Sequence, residues 1–76
     1  MKRNKHRMTP TDHADSYRAY SKAIRIVSCT PMDDLRQKSR IVSYLYERGH
    51  ENWIALNKLP ISDFARAFDN SRAKAA

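Results

Sequence analysis

A shortage of turn-forming residues is the feature that most limits what this chain can fold into. Gly49 is its single glycine, and its three prolines stand at positions 10, 31 and 60. A sheet protein needs many tight turns, and those turns consume glycine, asparagine and proline. With 30% charged residues and so few turn formers, the sequence predicts an all-α fold, a small bundle of three to four helices.

The length of 76 residues allows one modest core. A domain near this size buries only about 60% of the surface that its unfolded chain exposes. The one cysteine, Cys29, cannot close a disulfide within the chain, and the three histidines are too scattered to complete a metal site with it. We therefore expect no metal or other cofactor, and a stability that comes from helix packing or self-association.

A four-residue pattern, T-P-x-D, occurs at positions 9–12 and again at 30–33. Its threonine hydroxyl can accept a hydrogen bond from an unsatisfied backbone N–H, and proline at the first helical position loses no bond. Its aspartate brings a negative charge to the positive end of the helix dipole and can complete a capping box. The pattern therefore predicts one helix over 10–28 and a second over 31–48.

The rest of the chain predicts two shorter helices. Gly49 stands where a left-handed C-cap residue would end the second helix. A third helix is expected over 51–59, stopped near Pro60, which lacks an N–H and clashes with a continuing helix, and a fourth over 63–70. Residues 71–76 have nothing to bury, so we expect them to fray. The predicted organisation is a flexible, disordered basic arm over 1–8, one helical domain over 9–70 and a frayed tail over 71–76.

Apolar residues recur at spacings of three and four and predict the core. Phe64 and Phe68, one helical turn apart, should pack the last helix against the bundle. Trp53 is expected at the centre of the core, and Lys38 should lay its carbon stem along the core with its ammonium in water. The other predicted core positions are Tyr17, Tyr20, Ile24 and Val27 in the first helix and Leu35, Ile41, Val42 and Leu45 in the second.

The formal net charge of +7 is concentrated near the N-terminus. Four basic residues and no acid fall in the first seven positions, and three more recur along the outer face of the first helix, opposite its apolar residues. Such a face can be simply solvated or can follow a run of phosphates. The predicted nucleic-acid-binding residues are Lys2, Arg3, Lys5, Arg7, Arg18, Lys22 and Arg25.

A helix-turn-helix is one way for a basic helical chain to read DNA. Residues 59–62, L-P-I-S, resemble the L-G-[IV]-S turn of such motifs. The surrounding residues depart from the motif. Pro60 stands where the motif has its turn glycine. Leu56 stands where the motif has a small residue, and Arg66 where it has an apolar residue that points inward. A second possible hairpin turns at Gly49. It would present one acidic residue among the four residues that face the DNA, and an acid is a poor match to a phosphate-lined groove. No family is identified from either segment.

These features predict a small basic regulatory protein that associates with nucleic acid, with DNA favoured over RNA and a role in transcription regulation. The alternative is a modulator or adaptor that docks a helix face on an acidic partner protein. Its contact residues would be Tyr44, expected to be exposed, with Arg40 and Arg48 four residues to either side. No nucleophile, base and acid are spaced as a catalytic site requires, so we expect no enzyme activity.

The hydropathy pattern predicts a cytoplasmic protein without membrane contact. No stretch approaches the roughly 20 apolar residues that a membrane helix needs. The basic N-terminus leads into polar residues instead of the apolar segment of a signal peptide. A DNA-binding role would place the protein in the nucleoid, and the apolar positions of the second and fourth helices are compatible with a symmetric homodimer.

Overall fold

The computed structural model describes residues 8–75. It contains three helices: α1 is Pro10–Cys29, α2 is Leu35–Asn57 and α3 is Ile61–Ala75. The predicted all-α class and small helical bundle are confirmed. The predicted basic arm lies outside the described residues except for Met8, and no helix of the described part is long and apolar enough to cross a membrane.

The predicted start of α1 is confirmed by its capping contacts. The hydroxyl of Thr9 accepts a hydrogen bond from the backbone N–H of Asp12 at 3.2 Å, and the Asp12 carboxylate accepts one from the Thr9 N–H at 3.0 Å. Pro10 occupies the first helical position. Because each partner is only three residues from the other, this capping box follows directly from the sequence pattern.

The second T-P-x-D pattern does not start a helix, so the predicted start of α2 at Pro31 is wrong. Thr30 is the C-cap of α1, and its N–H and hydroxyl both donate to carbonyls in the last turn of that helix. The following proline favours the extended backbone that Thr30 adopts. α2 begins four residues later, where the Asp34 carboxylate accepts from two backbone N–H groups of the first turn.

Lys38 joins the two ends of the α1–α2 connection. Its ammonium donates to the carbonyl oxygens of Ser28 at 3.1 Å and Thr30 at 3.0 Å. Both bonds lie at the exposed surface, so the ammonium also remains accessible to water, in agreement with the prediction. A positive charge beside the last carbonyls of α1 also complements the negative end of the helix dipole.

The predicted helix end at Gly49 is wrong, because α2 continues through this residue to Asn57. Gly49 is buried, and a Cβ added there would lie 3.2 Å from the Cβ of Tyr20 on α1. The glycine thus permits close contact between α1 and α2, which offsets the roughly 1 kcal/mol that glycine costs in a helix. The separate third helix over 51–59 and the hairpin that turns at Gly49 are therefore also wrong, whereas the stop before Pro60 is confirmed.

α1 is the central helix of the bundle. α2 runs antiparallel to it, since Asn52 near the end of α2 is hydrogen-bonded to His13 near the start of α1, with 2.9 Å between Oδ1 and Nδ1. α3 packs across the N-terminal half of α1, where Lys74 reaches Asp15. Contacts between α1 and α3 involve residues in the first half of α1, such as Asp15, Tyr17 and Arg18.

The buried core consists mainly of small residues. Ala14, Leu56 and Ala67 are at most 2% exposed, and Phe64 and Phe68 pack against them as predicted. Leu35, a predicted core residue, is wrongly assigned: it is 71% exposed in the first turn of α2. The remaining predicted core positions are only half-buried: Tyr17, Tyr20, Ile24, Val27, Ile41, Val42 and Leu45.

α3 is longer than predicted at both ends. It begins at Ile61, directly after Pro60, and continues to Ala75. Ser71 is fully buried against α1. The expectation that this tail has nothing to bury is therefore wrong at Ser71.

Candidate nucleic-acid interface

Three cations form a row along one flank of α1, which we call the basic row: Arg18, Lys22 and Arg25. At positions i, i+4 and i+7 they extend over roughly 10 Å of helix. Lys22 and Arg25 are exposed. Arg18 is half-buried, and its Nη1 donates to the hydroxyl of Ser71 on α3 at 3.0 Å. The row is thus anchored at one end and free at the other.

Asp15, which precedes Arg18 by three positions on α1, is paired with a lysine of α3. The Lys74 ammonium donates to the Asp15 carboxylate at 2.9 Å. Hydrogen bonds from Ser71 and then from Lys74 lower the pKa of Asp15, and the same carboxylate raises the pKa of Lys74. Within the part of the chain that the structure describes, Lys22 and Arg25 have no carboxylate partner. Their end of the row is therefore a positive surface.

Beside the basic row, α1 and α2 separate to form an open cleft, which we call the aromatic groove. It encloses about 110 Å³, several times the roughly 10–15 Å³ that one water molecule needs on this measure. No residue of its lining is acidic. The lining residues are Tyr17, Tyr20, Ser21, Ile24, Tyr46, Gly49, His50 and Trp53.

The aromatic groove contains a stacked pair on α2, and two of its other rings belong to a network that reaches all three helices. Tyr46 and His50 are stacked, with ring centroids 6.3 Å apart and planes inclined by 15°. Trp53 lies 5.2 Å from Tyr17 and 5.5 Å from Phe64, measured between ring centroids. The predicted place of Trp53 at the centre of the core is therefore wrong: it is 36% exposed, and Tyr46 is 64% exposed. Large aromatic faces remain available to a ligand.

The aromatic groove is a feature that the sequence analysis missed. Tyr46, His50 and Trp53 follow one another at spacings of four and three, which places them on one face of a continuous helix. The predicted helix end at Gly49 assigns Tyr46 to one helix and His50 and Trp53 to the next, so the three aromatic residues are not recognised as one face. The periodicity of α2 would have indicated the groove wall if Gly49 had been interpreted as a packing residue.

A second exposed aromatic site lies elsewhere on α2. Tyr44 is 56% exposed, as expected, and the Arg48 guanidinium lies 5.5 Å from the centre of its ring. The Tyr44 hydroxyl and Glu51 raise the pKa of Arg48 above its already high value. Arg40 is exposed. Tyr44 precedes Tyr46 by two positions, or about 200° around the helix, so this site and the aromatic groove face different directions.

The four basic residues of the predicted arm, at positions 2, 3, 5 and 7, lie outside the described residues. Among the described residues, no three histidine, cysteine or acidic side chains are close enough together to hold a metal ion.

No protein-family model matches this chain, and no curated protein and no solved structure is found to be similar to it. The charge and shape of these surfaces are therefore the guide to a function.

Proposed function

We propose that this protein binds nucleic acid through the basic row of α1, and that it acts as a small regulatory protein in the cytoplasm, or in the nucleoid if its ligand is DNA. The observation that carries the proposal is the exposed pair Lys22 and Arg25, which has no carboxylate partner in the described residues and borders the acid-free aromatic groove. The basic residues at positions 2, 3, 5 and 7 would add phosphate contacts.

The energetic basis of such binding is the release of counterions from phosphates. Each phosphate neutralised contributes about −0.9 to the slope of log affinity against log salt for a duplex, and about −0.7 for a single strand. The basic row alone would therefore give a duplex slope of roughly −3. Contacts from the basic arm would make it steeper.

The decisive variant is Lys22→Glu/Arg25→Glu. Arg18 is left unchanged because its bond to Ser71 helps hold α3 on α1. A control with the same change of net charge is Arg36→Glu/Arg66→Glu, since both arginines are exposed and lie on other helices. Affinity is measured by fluorescence anisotropy on labelled single and double strands between about 50 and 200 mM salt.

The proposal predicts that the basic-row variant loses about two units of duplex salt slope and binds at least ten-fold more weakly at low salt. The control variant should keep most of its affinity. Equal losses in both variants would show that affinity follows net charge and not the basic row. Absence of binding by the unaltered chain at about 50 mM salt overturns the proposal.

A protein partner is the second candidate function, favoured by the exposed Tyr44 with Arg48 over its ring. Tyrosine and arginine are enriched among residues that dominate protein interfaces. In this case the affinity for an isolated partner should fall at least ten-fold with Tyr44→Ala. The Lys22→Glu/Arg25→Glu variant should retain that affinity, and the reverse pattern contradicts this candidate.

A further inference from the structure

The aromatic groove has properties that the basic row does not need for contacting phosphates. Tyr46 is 64% exposed, and His50 is exposed and stacked against it. The buried core of the described residues lies at the α1–α3 end around Ala14, Leu56 and Ala67. Tyr46 is therefore not required to fill the interior of this chain, and its ring is available for a planar ligand.

The surroundings of the groove indicate the charge of that ligand. Ser21 and Tyr17 line both the groove and the surface that holds Lys22 and Arg25. A ligand whose flat apolar part occupied the groove would thus place its adjoining groups beside two cations. Planar rings joined by regularly spaced anions are the chemistry of a nucleic-acid strand.

We propose that the aromatic groove binds unpaired bases, so that the protein prefers single-stranded nucleic acid to a duplex; this rests on the function proposed above. In a duplex the faces of the bases are stacked on one another and cannot contact Tyr46 or Trp53. In a single strand each base can stack on an aromatic side chain while the backbone follows a positive surface. Lys22 and Arg25 bind the phosphates, and the groove distinguishes the two forms.

The experiment compares a single strand of roughly 12 nucleotides with a duplex of the same length, using fluorescence anisotropy at constant salt. The variant is Tyr46→Ala, because this ring is 64% exposed, more than Trp53 at 36%, and lies away from the buried core. Tyr44→Ala removes a comparably exposed ring from a different face of α2. Circular dichroism confirms that each variant retains its helices.

The expected result is tighter binding of the single strand by the unaltered chain, and a loss of about five-fold or more with Tyr46→Ala for the single strand only. Trp53 is the one tryptophan of the chain, so stacking of a base near it should also quench the intrinsic fluorescence. Equal affinity for both forms, an equal loss with Tyr44→Ala, or a Tyr46→Ala variant that binds normally overturns the inference.

The two proposals fail separately. If Lys22→Glu/Arg25→Glu weakens binding of both forms while Tyr46→Ala changes neither, the basic row binds nucleic acid and the groove does not hold bases. If the unaltered chain binds neither form at low salt, nucleic acid is not the ligand, and the groove is left to an apolar segment of a partner protein. Either result contradicts the groove as a binding site for bases.

Discussion

The two contacts made by α1 differ in the size of the residues that form them. Against α3, α1 presents Ala14 to a surface that includes Ala67 and Ser71, and all three are at most 2% exposed. Against α2, close contact occurs at Gly49, while Tyr17, Tyr20 and Trp53 line a cleft that stays open. In this bundle small residues allow the helices to pack closely, and large aromatic residues remain partly exposed beside them.

The difference separates the parts of the molecule that hold it together from the parts available for binding. Among the described residues, Leu56 is the one large apolar side chain that is fully buried, at 0% exposure. Tyr46, in contrast, is mostly exposed. We therefore expect substitutions at the closely packed end to change stability strongly and substitutions in the groove to change it little.

The largest expected effect is that of Leu56→Ala, which should reduce the free energy of unfolding by about 2–5 kcal/mol. The substitution creates a cavity in a core cluster whose other buried residues are two alanines. Chemical denaturation followed by circular dichroism measures the change. The matched substitution Ile54→Ala removes a similar side chain that is 46% exposed and should cost under about 1.5 kcal/mol. Similar losses in the two variants would remove the distinction between the regions.

Gly49→Ala tests the close contact between α1 and α2. Alanine is intrinsically better than glycine in a helix by about 1 kcal/mol. Its Cβ, however, would lie 3.2 Å from the Cβ of Tyr20, an atom that can move only if the helices shift. We expect the strain to prevail and to lower the free energy of unfolding by about 1 kcal/mol net.

The control for this substitution is Ser43→Ala, at an exposed position of the same helix, which should be neutral or slightly stabilising. Thermal or urea unfolding of both variants gives the comparison. A Gly49→Ala variant more stable than the unaltered chain would mean that α1 and α2 can separate without loss, contrary to close packing at this point.

Sequence reasoning succeeded where the determining contacts are local. The capping box at Thr9 and the stop at Pro60 both depend on residues a few positions apart, and both are where the pattern predicts them. The exposure of Lys22 and Arg25 likewise follows from helical spacing. The all-α class follows from the scarcity of turn-forming residues, a property of the composition of the whole chain that does not depend on any single contact.

Sequence reasoning failed where a contact with a distant part of the chain determines the local structure. Gly49 has the local properties of a helix end, but its role depends on Tyr20, 29 positions earlier in the sequence. Ser71 is polar and follows the last apolar residues, yet it is buried because Arg18 and Asp15 reach it from α1. Since the aromatic groove requires α2 to continue through Gly49, the error at one residue also concealed the candidate site.

The smallest effect expected is that of acid on the α1–α3 contact, where Ser71 and Lys74 lower the pKa of Asp15. Because this pKa is lower in the folded protein than the roughly 3.9 of an unfolded chain, the ionised carboxylate stabilises the fold above that pH. The contribution is lost as the pH falls through the folded pKa. Asp15→Asn should therefore lower the urea midpoint slightly at neutral pH. In strong acid, where the Asp15 carboxylate is protonated, the variant and the unaltered chain should have the same midpoint. Asp33→Asn, the same change on the exposed α1–α2 connection, is the control. If the difference in urea midpoint between Asp15→Asn and the unaltered chain does not change with pH, the closely packed end does not depend on this charge.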